Sequence, residues 1–444
     1  MILTLIYFAL ILGIVVFIHE LGHFIFAKRA GVYVYEFSIG MGPRIFKFNR
    51  KKKIKDKKGK VKLVDDETDY CIRLFPIGGF VQMAGEEVEV DEKIPEDKRL
   101  QSKTWGQRFM VMVAGVMNNF ILAFVILLII GWTNTVSLNS VYVANSLVPG
   151  LNDGDKIVEV NGRKVNSYDI LSLELTVAAK EDFTITVEDP SGKRRDVKIS
   201  PITLGQDRLI YGYDYGFELG SKTDKETGKL DLIVTNSEVD GLKNDEVLYA
   251  VDGEEVVSHA QLLELLRDKE ESFVLTTKDA KGNLKETTIK VTETDKDDLA
   301  GYSFGFQFTG QEEKGFIAGI KYAFGKFIST LQQMVKTVWY LITGDLSLNM
   351  LSGPVGIYQI VDTAKGQGLV SILSLIALLN INVGFINILP LPAFDGGHAL
   401  FLIIEKIKGK PLDPKIENTI HNIFFMLLMV LMLYITFNDI MRLF

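Results

Sequence analysis

Phe17-Ile18-His19-Glu20-Leu21-Gly22-His23-Phe24-Ile25-Phe26 places three ionisable side chains within five positions of an apolar run that extends from Ile2 to Phe26. On a helix, His19 and His23 are four residues apart and share one face. Two imidazole nitrogens can then reach one tetrahedral zinc ion, with Glu20 beside the position left for water. The run is near the ~20 residues that cross ~30 Å of hydrocarbon. Ionisable groups in that setting are costly and need a partner such as a metal. The bland alternative is a polar cluster that hydrogen-bonds helices together.

The chain has 444 residues, is 47% hydrophobic and has positive mean hydropathy, which favours a membrane protein over a soluble one. Three more apolar segments have spanning length: Phe109 to Trp132, Leu369 to Leu389 and Ile420 to Phe437. The first segment has no basic n-region and no small-residue cleavage site, so it reads as a retained helix rather than a signal peptide. Ala27 to Arg108 holds 19 Lys and Arg against 13 Asp and Glu, including Arg50-Lys51-Lys52-Lys53. The link carrying Lys406, Lys408, Lys410 and Lys415 is also basic, whereas Thr133 to Gly315 has 21 basic and 35 acidic residues. The positive-inside rule puts the basic loops in the cytoplasm and both termini outside, in agreement with an even number of spans. The basic cluster is short, lacks interleaved aromatics and adjoins a span, which excludes nucleic-acid binding. Cys71 is the only cysteine, so no intramolecular disulfide can form, and it reads as structural.

Val32 to Met83 alternates polar and apolar residues, as in Val34-Tyr35-Glu36-Phe37-Ser38-Ile39, and reads as β-hairpins turned at Ile39-Gly40-Met41-Gly42-Pro43 and Pro76-Ile77-Gly78-Gly79-Phe80. Such a hairpin can dip into the bilayer beside the helices or form a small cytoplasmic sheet, and the pattern does not decide between them. In the outer region Val148, Gly150, Leu151, Val160 and Gly162 recur as Val239, Gly241, Leu242, Val251 and Gly253, all displaced by 91 residues. A constant offset indicates two copies of one module. Pro149 to Gly162, ending in the hairpin signal Asn161-Gly162, resembles the corresponding stretch of PDZ domains. That resemblance implies peptide binding at a sheet edge, against the alternative of two β-rich spacers. Phe316 to Leu341 has helical apolar spacing interrupted by Lys321, Lys326 and Lys336, and reads as a helix lying at the outer interface. Leu351-Ser352-Gly353-Pro354-Val355-Gly356 reads as a turn-rich re-entry.

The expected architecture is a polytopic α-helical membrane protein with four transmembrane helices, a membrane-associated β-hairpin region and two extracytoplasmic PDZ-like β-rich domains. Residues 1–31 form the first transmembrane helix, 32–104 the hairpin region and 105–134 the second helix. The two repeats occupy 135–205 and 206–300, and the interfacial helix 301–350. The third transmembrane segment takes 351–408, and the fourth 409–444.

Zinc needs a third protein ligand while one position stays open. Asn387-Ile388-Leu389-Pro390-Leu391-Pro392-Ala393-Phe394-Asp395-Gly396-Gly397-His398 offers it, because two prolines break the third span and turn Asp395 sideways. His398, three residues on, is a rival ligand for a three-histidine site, ranked lower because Asp395 follows the break directly. It reads as a group supporting the site, and His259 and His421 as ordinary polar histidines.

With H-E-x-x-H in the first helix, N-x-x-P-x-P-x-x-D-G-G in the third and tandem PDZ-like repeats between helices two and three, the chain resembles the site-2 protease family of intramembrane zinc metalloproteases, bacterial regulator of sigma-E protease type. The likeness covers nearly the whole chain. Gly115-Val116-Met117-Asn118-Asn119-Phe120 is similar to the family's G-x-x-x-N-F stretch, with Val116 where a proline is usual. The resemblance implies zinc bound by His19, His23 and Asp395, and Glu20 as the catalytic glutamate. It implies that Asn387 and Asn119 contact substrate, and that the hairpin presents it. It further implies a bacterial inner membrane location and single-span membrane substrates, such as trimmed anti-sigma factors or signal-peptide remnants, gated by size at the outer repeats. Helical rise places the metal roughly 10 Å below the cytoplasmic end of the first helix. The rival readings are a membrane scaffold with a structural metal, opposed by Glu20, and a metal transporter, opposed by the large outer β region.

Overall fold

The structure is a computed structural model that describes residues 2–55, 61–85, 94–144, 146, 148, 150–179, 182–199, 202–204, 213–214, 218–223, 230–235, 237, 239–256, 259–266, 269, 271–279, 281–293, 301–303, 307–411 and 413–441. Two compact units form: Met1–Val136 with Lys314–Phe444, and Ser137–Glu313. The boundary expected between the repeats at 205/206 lies outside the described residues.

The first unit opens with α1 (Ile2–Arg29), then β1 (Val34–Lys55), β2 (Val61–Met83) and α2 (Trp105–Thr133). α2 starts on a capping box in which Thr104 and Gln107 satisfy each other's backbone N–H groups. The two long strands pair along their length and the register doubles back: Glu36 to Ile39 pairs in antiparallel order with Gln82 to Gly79 on one side and in parallel order with Asp69 to Ile72 on the other. Positive φ at Gly40 and Gly42 permits that fold-back. Val34, Phe37, Val81 and Met83 pack onto the Ala27 end of α1, whereas Met41, Ile45, Phe46, Phe48, Leu74 and Phe75 stay about half exposed or more.

In the second unit β3 (Val136–Ala144), β4 (Lys156–Val160), β5 (Arg163–Lys164), α3 (Tyr168–Ala178), β6 (Phe183–Glu188) and β7 (Arg194–Ile199) build the first module. After β8 (Ile202–Leu204) and β9 (Tyr213–Asp214) the same order recurs in β10 (Glu218–Thr223), β11 (Leu230–Thr235), β12 (Val247–Val251), β13 (Glu254–Glu255), α4 (His259–Leu266), β14 (Ser272–Lys278) and β15 (Leu284–Lys290). β16 (Thr292–Glu293) pairs with β9, and β17 (Gly301–Ser303) with β8. The repeat extends to hydrogen bonds: Val143 N donates to Asp155 O at 2.8 Å and Val234 N to Glu246 O at 2.9 Å, while Leu151 N to Val148 O and Leu242 N to Val239 O are both 3.1 Å. β18 (Gln307–Glu313), which the sequence groups with the following helix, instead returns to flank β3, as β10 flanks β11. Strand pairing between distant segments leaves no local periodicity, and only the fold shows that the second module is nested within the first.

The chain then re-enters the first unit as α5 (Phe316–Thr343), α6 (Pro354–Gln367), α7 (Leu369–Ile388), α8 (Asp395–Lys408) and α9 (Pro414–Met441). α1, α2, α7 and α9 are long and apolar enough to cross a membrane. α5, expected as a helix at the outer interface, packs lengthwise on another helix. It runs antiparallel along α2, with Gly319 on Gly131, Phe324 5.4 Å from Phe124 and Phe327 5.6 Å from Phe120. Paired glycines let the backbones approach, so the aromatic face packs on α2. The supposed turn at 351–356 also conceals the start of α6. Pro354 occupies its first turn, where its missing N–H costs nothing, and Gly356 N donates to the buried Asp439 carboxylate at 2.8 Å. The core lies where α1, α2, α6 and α7 meet, around Val15, Leu127, Val361 and Ile376.

Candidate active site

α1 and α2 cross at glycines. A Cβ on Gly22 would overlap the Ala114 carbonyl, and one on Gly115 would overlap His23 Nε2. This close crossing buries His19 and His23 to 8% exposure each. Their Nε2 atoms lie 3.3 Å apart, and each is 3.2 Å from Asp395 Oδ2. The three donor atoms all fall within 4.8 Å of one another.

Asp395 arrives by way of the broken segment that follows α7. Pro390 and Pro392 have no N–H to continue a helix. The chain turns instead through Leu391 N to Leu389 O at 2.7 Å and Phe394 N to Leu391 O at 3.0 Å. Gly396 and Gly397 lie so close to the carbonyls of Ile388, Leu389 and Leu391 that a side chain at either would overlap them. α8 therefore begins folded back against the end of α7, with Asp395 as its first residue.

The donor set suits zinc. Asp395 Oδ2 is buried and accepts no hydrogen bond, a state that a carboxylate tolerates next to a cation. His23 Nδ1 is 2.8 Å from Val111 O. A carbonyl only accepts, so Nδ1 carries the proton and Nε2 keeps its lone pair on the side of Asp395. Two imidazoles and a carboxylate leave one position open in a four-coordinate site. Glu20 stands beside them, where Gly79 of β2 comes so close that a Cβ there would sit 3.2 Å from Glu20 Cγ. An apolar cavity of about 440 Å³ opens nearby, between Phe17 of α1 and Phe37, Phe46, Tyr70 and Ile72 of the hairpin.

Asn119, placed by resemblance among the substrate contacts, is fully buried with Nδ2 3.4 Å from His19 Nδ1, and its Oδ1 has no partner. It faces a histidine rather than open space. Asn387 is half-buried in the last turn of α7. His398 does not join the cluster. Its Nδ1 is 3.4 Å from Glu417 Oε1 and its ring lies 5.5 Å from that of His421. His421, read from the sequence as an ordinary polar histidine, reaches the Pro392 carbonyl with Nδ1 at 2.7 Å. Its lone position at the start of an apolar helix carries no motif by which this contact could be found. His259 opens α4 in the second unit.

Comparison with known proteins agrees with this chemistry. The profile of peptidase family M50 matches residues 7–431. The zinc metalloprotease RasP of Shouchella clausii is 31% identical, and that of Bacillus licheniformis 32% identical, with 99% of each chain covered in both cases. The regulator of sigma-W protease RasP of Bacillus subtilis is 31% identical, again over 99% of both chains.

Proposed function

The chain belongs to peptidase family M50 and is a zinc metalloprotease, and from that premise we propose that it cuts single-span membrane proteins within or near their transmembrane segments. The observation that carries this reading is the convergence of His19, His23 and Asp395 donor atoms in a unit built of membrane-length helices. These three side chains would hold the ion, and Glu20 is the general base. Zinc, when bound, supplies a Lewis acid for the scissile carbonyl and for an attacking water. Glu20 accepts the proton of that water on a carboxylate oxygen and returns it to the nitrogen of the leaving amine. Val111 O and Asn119 orient His23 and His19 by their outer nitrogens, and Asn387 stands at the end of α7 to meet substrate.

Peptide bonds of a substrate helix are already hydrogen-bonded, so cleavage needs local unwinding. The exposed apolar end of the β1–β2 hairpin supports a re-entrant position in the bilayer, where a strand edge supplies partners to the unwound segment. Substrates are anti-sigma-factor-like proteins, which the sigma-W regulator among the relatives suggests, or signal-peptide remnants. The two modules of residues 135–205 and 206–300, with strand 307–313 added to the first, are PDZ-like and gate substrates by size outside a bacterial inner membrane, where both termini also lie.

The test is a single-span substrate in proteoliposomes, with and without a folded outer domain. Glu20→Gln lowers cleavage at least ~10²-fold, by loss of general-base catalysis, while the protein stays folded and zinc-loaded. Cleavage at the wild-type rate would overturn the mechanism. Equal cleavage of trimmed and untrimmed substrates would overturn the gate.

A further inference from the structure

We propose that His421 is a positioning residue for the metal site: from α9 it holds the Pro392 carbonyl, and through that carbonyl it sets the place of Asp395. The inference rests on Asp395 being a zinc ligand.

The segment between α7 and α8 is the weak point of the site, since six residues without helical hydrogen bonding must deliver a carboxylate to a fixed place. Its backbone is partly self-satisfied. Leu389 O accepts from Leu391 N, Leu391 O from Phe394 N, and Phe394 O from Gly397 N at 2.9 Å. The Pro392 carbonyl is met by a side chain instead, His421 Nδ1 at 2.7 Å. Because a carbonyl has no proton to give, Nδ1 is the donor, which fixes the tautomer. In apolar surroundings a carbonyl left without a donor is costly, and a donor that reaches it is correspondingly strong.

A second contact comes from the same face of α9. Glu417, one turn before His421, lies 3.4 Å from His398 Nδ1 in the first turn of α8. α9 thus touches the ligand-bearing segment three residues before Asp395 and three residues after it. The far end of α8 is anchored separately by α2. Arg108 grips Glu405 through two hydrogen bonds of 2.8 and 3.0 Å, and Trp105 Nε1 donates to Leu402 O at 2.7 Å. With its C-terminal end pinned by those bonds, α8 needs a hold only at the break, which is where His421 acts. Most of α9 is exposed in the single chain, so this helix offers little packing of its own to the unit. Its polar first turns are therefore its firmest attachment to this segment. An error of about 1 Å in a group at a reacting centre can cost on the order of 10²-fold in rate, so a hydrogen bond of this kind has leverage on catalysis.

The test compares His421→Phe, which keeps the ring and removes the donor, with His421→Asn, whose Nδ2 stands close to where Nδ1 does. Zinc affinity is read by chelator competition on the full-length protein in detergent, and kcat and KM on a single-span substrate. His421→Phe weakens zinc binding and lowers kcat, each by about tenfold, the lower end of what removal of an outer support costs a metal site. KM changes little. His421→Asn restores both to within about threefold, which simple destabilisation of α9 does not predict. Wild-type zinc affinity in His421→Phe, or equal loss in the Phe and Asn variants, overturns the proposal. Asp395→Asn serves as the control. Undiminished zinc affinity in that variant overturns the ligand assignment itself, and the role of His421 with it.

Discussion

Gly115 of α2 lies against both histidines of α1: a Cβ there would overlap His23 Nε2 and stand 2.7 Å from His19 Cε1. The absence of a side chain at this one position gives the two imidazoles room to converge on Asp395. Gly115→Ala improves helix propensity by about 1 kcal/mol, so global stability is expected to hold. Zinc content and cleavage are expected to fall together, activity by ~10²-fold as for an ~1 Å displacement of a reacting group. Metal analysis of the purified variant checks this, and full zinc occupancy with normal activity would show that the crossing has slack.

Asn119 Nδ2 faces His19 Nδ1 while its Oδ1 is buried without a partner. A half-turn of the amide brings Oδ1 onto that nitrogen, where it accepts the Nδ1 proton and leaves Nε2 for the ion. Asn119→Leu is expected to weaken zinc binding by about 10- to 100-fold, as loss of an outer partner does. Asn119→Asp, which keeps an acceptor, binds zinc more tightly than the Leu variant. Chelator competition on both distinguishes this from a substrate contact, which would raise KM and leave metal affinity unchanged.

Glu36 is 2% exposed in β1, where Arg73 hydrogen-bonds it at 2.7 and 3.1 Å and Arg44 pairs with it. Burial works to raise its pKa, but the Arg73 hydrogen bonds and the charges of Arg44 and Arg73 outweigh it and hold Glu36 below the usual carboxylate range. A depressed folded pKa means stabilisation that is fully present above the unfolded value, near 4.5, and lost as pH falls through the folded one. Hydrogen-exchange protection in residues 36–39 and 69–73, after correction for the intrinsic rate at each pH, should fall below that pH. Arg73→Met, which leaves Arg44 as the remaining partner, is expected to cost the hairpin toward the low end of ~3–5 kcal/mol. Exchange that ignores both changes would mean that the pair contributes nothing.

Asn161 has φ +49° and its Oδ1 accepts from Thr184 N at 2.8 Å, as Asp252, at φ +48°, accepts from Val274 N at 2.7 Å in the second module. Asn161→Ala loses both the acceptor and tolerance of the left-handed region, about 1 kcal/mol each. Asn161→Gly loses only the acceptor. Thermal unfolding of the outer modules should therefore rank wild type above Gly above Ala, and Ala at or above Gly would refute the strain argument.

What the sequence legibly carries is local. Four apolar runs of spanning length, the i, i+4 spacing of His19 and His23, the two prolines before Asp395 and the 91-residue offset between Gly150 and Gly241 are each written in neighbouring residues, and each reappears as an element of the structure. Pro354 also marks a helix start, but the glycines on either side of it give the stretch the composition of a turn. Other features carry no such sign. Phe316 to Thr343 shows an amphipathic face, but not that Gly319 meets Gly131, so its course along α2 is not legible in the chain.

Contiguous residues carried the four helices of membrane-crossing length and hydropathy, the shared face of His19 and His23 on α1 and the duplication of the outer module, because hydrophobic length, helical periodicity and repeat offset are properties of contiguous chain. The folded chain settled the choice that the sequence had ranked, bringing the Asp395 carboxylate to both histidines and turning His398 to Glu417. It decided likewise that Asn119 backs His19, that His421 holds the Pro392 carbonyl, and that β18 closes the sheet of the first module. Each of these joins segments apart in sequence, and such contacts leave no period in the chain that supplies them.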